Sequence, residues 1–258
     1  MMRLDPALLL SAYAAGIFPM ADSRDADELF WVEPTRRAIL PLDGFVLSKS
    51  LRKTVRIDRF RVTRDIAFEA VLNACADREE TWINPAIARG YLRLHEAGHA
   101  HSIECWTDNR LVGGLYGVRL GAAFFGESMF SRETDASKVA LAWLVGRLRV
   151  GGFRLLDCQF MTPHLASLGA VEISKADYAA VLGEAVAATG VGATGVGATR
   201  AAGAAGFGIR LGRGRAALPV PDFSALDVLL ATSPDDGAAS VSAPDPGCVI
   251  VHALGHTS

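Results

Sequence analysis

An α+β fold is predicted for this chain of 258 residues by three observations. Residues 111–118 and 122–127 carry the alternation of paired strands about a turn at Leu120-Gly121, which is a hairpin pattern. Helix-start chemistry, an N-capping side chain or a cap followed by proline, precedes stretches of helical character at Asp5-Pro6, Asp135 and Ser174. Half of the residues are hydrophobic and 21% are charged, the profile of a globular chain large enough to bury a good core as one large domain or two small ones.

From the N-terminus, Asp5-Pro6 reads as an N-cap with proline at the first helical position, and Gly16 ends that helix before Phe18-Pro19-Met20. Arg3, the apolar residues 7–18 and an A-x-A at residues 12–14 imitate an export signal, but the cap and proline favour a helix of the fold, and export is not expected. Short strands follow at residues 30–31 and 38–42, and Ser48 starts a helix that runs into a basic stretch. A strand at residues 60–63 and a helix at about 66–76 come next. After Thr81-Trp82-Ile83, a helix over residues 85–97 is ended by Gly98, and residues 100–106 alternate as a strand. The hairpin leads to a helix capped by Asp135, a buried strand at residues 153–159 and a short helix. Ser174 then caps a helix over residues 175–188.

Two copies of GVGAT, at residues 190–194 and 195–199, open an Ala/Gly-rich tract to residue 217 that reads as a flexible linker. Beyond it, residues 219–230 are expected to form a short helix, and the apolar run 248–254 to dock as a strand. The expected organisation is therefore residues 1–59 as a small N-terminal α+β domain, 60–189 as a second domain, and 190–258 as linker and tail. No apolar run approaches the ~20 residues of a membrane helix, because residues 139–146 are bounded by Lys138 and Arg147.

Charge is unevenly spread. Between Arg36 and Arg64 stand nine basic residues against Asp43 and Asp58, a net of +7 on a chain whose total is −2. Such a segment suits a phosphate backbone held without sequence reading, or else it is simply a solvated face. Cys75, Cys105, Cys158 and Cys248 have no paired spacing, which excludes a disulfide framework or zinc ribbon and fits a reducing cytoplasm. His95-Glu96-Ala97-Gly98-His99 matches HExxH, but Gly98 stops the helix inside the motif, so a helical zinc-ligand pair is not expected. GESMF lacks the second glycine of a nucleophile elbow around Ser128, and Cys158 reads as a buried, inert thiol.

The polar residues at strand ends mark the candidate site. Glu127 and Ser128 close the second hairpin strand, while Asp157 and Gln159 lie two apart on the next strand, where side chains leave the same face. Charged groups there, beside apolar runs, build a poor core. The words around them are LVGGLYG, GESMFSR, DASK, DCQ and HLASLGA, preceded by GIFPM, TWI and AHSIECW. With these words in this order, the chain closely resembles the leucyl/phenylalanyl-tRNA–protein transferase family from about residue 5 to 188. It departs from the family at Phe30-Trp31-Val32, where Val32 stands in place of a usual second tryptophan, and at Leu144 and Leu148, where the family has bulky aromatic residues.

The resemblance implies a GCN5-related N-acetyltransferase-like (GNAT) mixed-sheet domain and the transfer of Leu, Phe or Met from aminoacyl-tRNA to an N-terminal Arg or Lys of acceptor proteins, tagging them for N-degron proteolysis. It implies Asp157 and Gln159 as the catalytic pair, with Glu127 holding an ammonium or bracing them. It also implies Leu115, Phe124, Met129, Leu144, Leu148 and Leu156 around the donor side chain, Trp82 and Tyr91 near the terminal adenosine, and Lys49, Arg52, Lys53 and Arg56 on tRNA phosphates. A cytoplasmic monomer without cofactor or metal is expected. The chemistry is lenient: the aminoacyl ester is already activated, an α-amine with a pKa of ~8 is appreciably neutral at pH 7, and holding the two together lowers much of the barrier. Two other classes remain open. An acyl-CoA enzyme would need a pyrophosphate loop, for which the only match is Arg200–Ala205 in the linker, and a non-catalytic RNA-binding protein would use the basic segment alone.

Overall fold

A computed structural model describes residues 4–187, 220–231 and 245–255. The expected linker, residues 190–217, and the Arg200–Ala205 loop lie outside the described residues. The elements in chain order are α1 (Pro6–Ala14), β1 (Phe18–Met20), β2 (Phe30–Val32), β3 (Arg36–Ile39), α2 (Lys49–Arg56), β4 (Arg61–Arg64), α3 (Phe68–Ala76), α4 (Pro85–Glu96), β5 (Ala100–Thr107), β6 (Arg110–Leu120), β7 (Ala123–Ser131), α5 (Ala136–Val150), β8 (Leu155–Gln159), α6 (Pro163–Ser167), β9 (Val171–Ser174), α7 (Lys175–Ala187), α8 (Ala225–Ala231) and α9 (Pro246–Ala253).

The helix starts follow the capping chemistry. Asp5 Oδ1 accepts from Leu8 N at 2.8 Å, Ser48 Oγ from Leu51 N at 3.2 Å, and Ser174 Oγ from Asp177 N at 3.1 Å. Asp135 departs from expectation. It takes a left-handed backbone (φ 69°), and its carboxylate pairs with Lys138 at 2.9 Å instead of capping α5.

Seven strands form one mixed sheet in the order β4-β5-β6-β7-β8-β3-β9, and β1 pairs with β2 in a small separate ribbon. Every neighbour in the large sheet is antiparallel except β7 and β8, which run parallel and are joined by α5 as the crossover. The fold is thus α+β with a mixed sheet, as expected. β3, read from sequence as part of the N-terminal piece, lies in the large sheet between β8 and β9.

Helices cover both faces. Leu51 and Val55 of α2, the buried length of α5, and Leu226, Ile250 and Leu254 of the tail share one core, while Leu9 and Tyr13 of α1, Val71 and Leu72 of α3, Tyr91 and Leu94 of α4, and Leu182 of α7 share the other. The tail is integral to the first core. Phe223 is 1% exposed, stacked on Phe124 at 5.4 Å and on His101 at 4.3 Å, and Asp227 bonds Arg147 through both oxygens at 2.6 and 2.9 Å. The run read as a docking strand at 248–254 is instead part of α9. Asp245-Pro246 starts that helix, and Ile250, Val251 and Leu254 recur at helical spacing to meet the core, which overrides the β-branched character of the run. Among the described residues no helix is long and apolar enough to cross a membrane.

Candidate active site

The cleft arises where two strands part. β7 and β8 pair only over three positions, ending at Phe125 opposite Asp157. Immediately beyond, β7 carries a bulge against β6: Gly117 faces Gly126 and Tyr116 faces Ser128, so Glu127 is the extra residue, and a bulge re-aims a side chain. The diverging ends enclose a cavity of about 370 Å³, within the size range of small-molecule sites. Leu115, Met129, Leu141, Leu144, Leu156 and Leu165 supply its apolar lining, Phe18, Met20, Trp82 and Phe160 stand around it, and its polar lining is Glu127 and Gln159 together with Arg78, Ser128, Thr162 and His164.

Glu127 is held by two phenols and an amide. Tyr13 OH reaches Oε1 at 2.8 Å, Tyr91 OH reaches Oε2 at 2.7 Å, and Gln159 Nε2 donates to Oε1 at 3.1 Å. The two phenols also touch each other at 2.8 Å. Two phenolic hydrogens cannot serve these three contacts while Glu127 is ionised, since both are committed to the carboxylate. A proton on Glu127 lets it donate to one tyrosine, which then donates to the other, and all three contacts are filled. Desolvation, the largest influence, raises the Glu127 pKa from 4.5 to about 7 against the lowering effect of the tyrosine hydrogen bonds. Tyr13 and Tyr91 are themselves pushed well above ordinary phenols, first by burial and then by Glu127, so both stay protonated donors.

Asp157 has a different environment. It is fully buried, and its oxygens accept from Arg37 Nε at 2.9 and 3.1 Å, from Arg37 Nη2 at 2.6 Å, from Tyr178 OH at 2.7 Å and from the backbone N of Gln159 at 2.9 Å. The Arg37 guanidinium lies between the rings of Phe18 and Tyr178, 4.8 and 4.5 Å from their centroids, and also donates to the Gly16 carbonyl. Burial alone would lower the Arg37 pKa, but the bonds and charge of Asp157 more than reverse it. With its acceptor positions occupied, Asp157 does not line the cleft. It fixes Gln159 instead: that residue has a left-handed backbone (φ 57°), uncommon without glycine, and the Asp157 bond to its N–H holds the turn that brings its amide to Glu127.

The residues expected around the donor and the adenosine divide accordingly. Leu115, Met129, Leu144 and Leu156 meet in the cleft, and Trp82 stands at it. Phe124 and Leu148 do not: both are 0% exposed, Phe124 against Phe223 and Leu148 on the inner face of α5, so they are core. Tyr91 is also fully buried, edge-on to Trp82 at 6.4 Å, which leaves no ring face for a base to stack on and makes it a partner of Glu127 instead. Cys158 lies half-buried in the cleft wall, and its thiol is raised far above the ordinary value, first by desolvation and then by Asp157.

On α2, Leu51 and Val55 face inward, Lys49, Lys53 and Arg56 are exposed, and Arg52 is half-buried with its Nε unpartnered. Other members of the basic run are committed elsewhere: Arg37 to Asp157, Arg36 to Glu172 and Arg64 to Asp227. In the HExxH stretch, α4 ends at Glu96, Gly98 takes φ 76°, and His95 Nδ1 contacts the Ala100 carbonyl at 2.8 Å while its ring stacks on Phe68. The helix therefore stops between the two histidines, as expected from Gly98.

Sequence reasoning missed Tyr13, Arg37 and Tyr178. Tyr13 sits in an apolar helix with no polar neighbour to mark it, and Arg37 was counted among the surface cations. The only available signal was the choice of a phenol and a guanidinium where a core would otherwise take Phe or Leu.

A family model described as leucyl/phenylalanyl-tRNA protein transferase matches residues 39–183, and one for the N-terminal domain of that transferase matches residues 2–35. A leucyl/phenylalanyl-tRNA–protein transferase of Rhizorhabdus wittichii is 60% identical over 262 residues, covering 100% of each chain. The protein of the same name from Zymomonas mobilis is 66% identical over 187 residues, 71% of this chain and 70% of its own. That from Novosphingobium aromaticivorans is 56% identical over 261 residues, 99% of this chain and 97% of its own. A crystal structure of FemX overlaps 66% of this chain and 66% of its own with a TM-score of 0.44 and 11% identity, a likeness too slight to carry function.

Proposed function

This chain belongs to the leucyl/phenylalanyl-tRNA–protein transferase family, and we propose that it moves leucine, phenylalanine or methionine from aminoacyl-tRNA to the N-terminal Arg or Lys of acceptor proteins. The observation that carries the reading is a largely apolar cleft into which one desolvated carboxylate, Glu127, is set and bonded to the amide of Gln159. The donor side chain fits among Leu115, Met129, Leu144 and Leu156, and Trp82 offers a face to the terminal adenine.

The chemistry needs no covalent enzyme intermediate. Gln159 donates to Glu127 through Nε2, which leaves its Oε1 to accept an N–H of the attacking amine and orient it. The amine nitrogen bonds to the ester carbonyl carbon, the proton it sheds passes to Glu127, and the bond to the ribose oxygen breaks as that oxygen takes a proton back. A carboxylate titrating near neutrality suits both halves of this exchange. Asp157, with Arg37, is a positioning residue that holds the Gln159 turn. Lys49, Lys53 and Arg56, with the half-buried Arg52, offer a charged helix face to tRNA phosphates. The acceptor class, the tagging of acceptors for proteolysis and a monomer working in the cytoplasm follow from the family resemblance.

Transfer of labelled leucine from Leu-tRNA to a peptide beginning with Arg, with a Val-first peptide as control, tests the reading. Label on the Arg-first peptide alone is the expected result. Tight tRNA binding without transfer to either peptide would favour a non-catalytic RNA-binding protein, and label on both peptides would remove the acceptor rule.

A further inference from the structure

Next to the cleft lies a second cavity, also of about 370 Å³, with a different character. Arg78, Arg132, His164, Ser131 and Ser137 line it, with Asp77 as its only carboxylate among the described residues. The two cavities share Arg78, Met129 and His164, so each opens beside the other. One is built for an apolar side chain and the other for an anion, and the polar pair Glu127 and Gln159 belongs to the first.

Both arginines are exposed side chains, and contacts to backbone carbonyls hold them in place. Arg78 donates through Nη2 to the Met129 carbonyl, which ties its guanidinium to the wall between the two cavities. Arg24 Nη2 holds the turn that carries it, donating to the carbonyls of Ala76 at 2.6 Å and Arg78 at 3.4 Å. Arg132 packs over the Phe130 ring at 5.4 Å and donates through Nη1 to the Leu111 carbonyl at 3.3 Å. Its Nε and Nη2 hydrogens have no protein partner among the described residues. Two guanidiniums fixed by their stems and backbone contacts, with donors to spare, match the geometry of a phosphate group.

We propose that this cavity binds the phosphate on the 5′ side of the nucleotide that carries the amino acid. The inference rests on the transferase reading above. The donor is an ester on the ribose of a terminal nucleotide, so with the amino acid side chain in the apolar cleft and the ester at Glu127 and Gln159, the nearest negative charge on the donor is one ribose away. The neighbouring cavity, which shares Arg78 with the cleft, supplies cations beside it. The site differs in kind from the cations of α2, which meet phosphates only when a longer RNA is present, whereas this cavity acts on a single nucleotide.

The test compares three donors with one Arg-first peptide: 3′-O-leucyl-adenosine, the same compound with a 5′-phosphate on its ribose, and Leu-tRNA. For the unaltered protein, the 5′-phosphate lowers KM on the order of tenfold, the effect of one charge-assisted contact. Arg132→Ala brings the two small donors to within about twofold of each other while both are still used, and Arg132→Glu lowers the use of the phosphorylated donor further. The use of leucyl-adenosine by Arg132→Ala shows that the variant is folded. Equal KM values for the two small donors with the unaltered protein, or a preference for the phosphate that Arg132→Ala leaves intact, would overturn the subsite alone. No transfer from Leu-tRNA by the unaltered protein would overturn the transferase reading and the subsite with it.

Discussion

Replacing Glu127 with Gln keeps the shape of the site and removes its ability to take a proton, and two separate magnitudes follow. In the folded chain Glu127 holds its proton up to about pH 7, whereas the ordinary value is 4.5. If the carboxylate is the proton acceptor, transfer at saturating donor rises about a hundredfold per pH unit below pH 7, where Glu127 and the acceptor amine must both lose a proton, about tenfold per unit from pH 7 to 8, and levels above pH 8. Glu127→Gln should lower the plateau by about 10²–10⁴-fold and erase the limb near pH 7. The limb set by the acceptor α-amine, with a pKa of ~8, should remain.

Stability should move the other way. Between pH 4.5 and 7 the folded state binds a proton that the unfolded state has released, so stability falls as pH rises through that window and stays lower above it. The full difference is about 3 kcal/mol, and Glu127→Gln should recover up to that amount at pH 8 and almost none at pH 4. Initial rates from pH 5.5 to 9, with urea unfolding at pH 4 and 8, measure both. A variant that retains transfer within several-fold, with the limb near pH 7 unchanged, would refute the proton role.

Asp157→Asn should act through folding, because it leaves the Arg37 guanidinium buried without its counter-charge, a loss on the order of 3–5 kcal/mol in urea unfolding. Gln159→Ala should instead lower transfer while leaving unfolding nearly unchanged. An Asp157→Asn protein as stable as the unaltered one yet inactive would place Asp157 in the chemistry itself. Changing the exposed pair Lys49 and Lys53 to Ala should reduce the slope of log affinity for tRNA against log salt by about one to two, without altering the preference for Leu over Ile, which belongs to the cleft. An unchanged slope would make α2 a solvated face and move the RNA elsewhere.

The sequence was most informative where the chemistry is local. The helices begun by Asp5-Pro6, Ser48 and Ser174 stand within a residue or two of where capping predicts them, and the hairpin of β6 and β7 follows its alternation. Misreadings came where a distant partner decides. Arg37 counts as one more cation until Asp157, 120 positions away, is seen to bury it. Tyr91 reads as a stacking surface until the Glu127 bonds draw it inside, and Phe124 and Leu148 read as cleft until the tail supplies Phe223 and closes over that side of α5. The run in α9 has strand-like residues, and only the Asp245-Pro246 start, the same pair that opens α1 as Asp5-Pro6, marks it as helix. The Glu127 bulge has no sequence signature, since it exists only in the register of β6 against β7.

The position of β3 also governs the order in which the chain can be completed as it is made. Residues 36–39 leave the ribosome early, yet their two neighbours in the sheet are residues 155–159 and 171–174. Throughout the synthesis of the intervening hundred-odd residues, β3 has no strand to pair with and Arg37 no carboxylate to meet. Domains otherwise tend to form from the N-terminus as they emerge. Here the strand made first waits for the strands made last, and the Gln159 turn, which depends on Asp157, can be secured only when that strand is drawn in. The bonded pair of Glu127 and Gln159 is thus among the later parts of this protein to come into existence, and a nascent chain stalled before residue 174 would carry the cleft residues of β6 and β7 without β9 to complete the sheet that holds β3 in place.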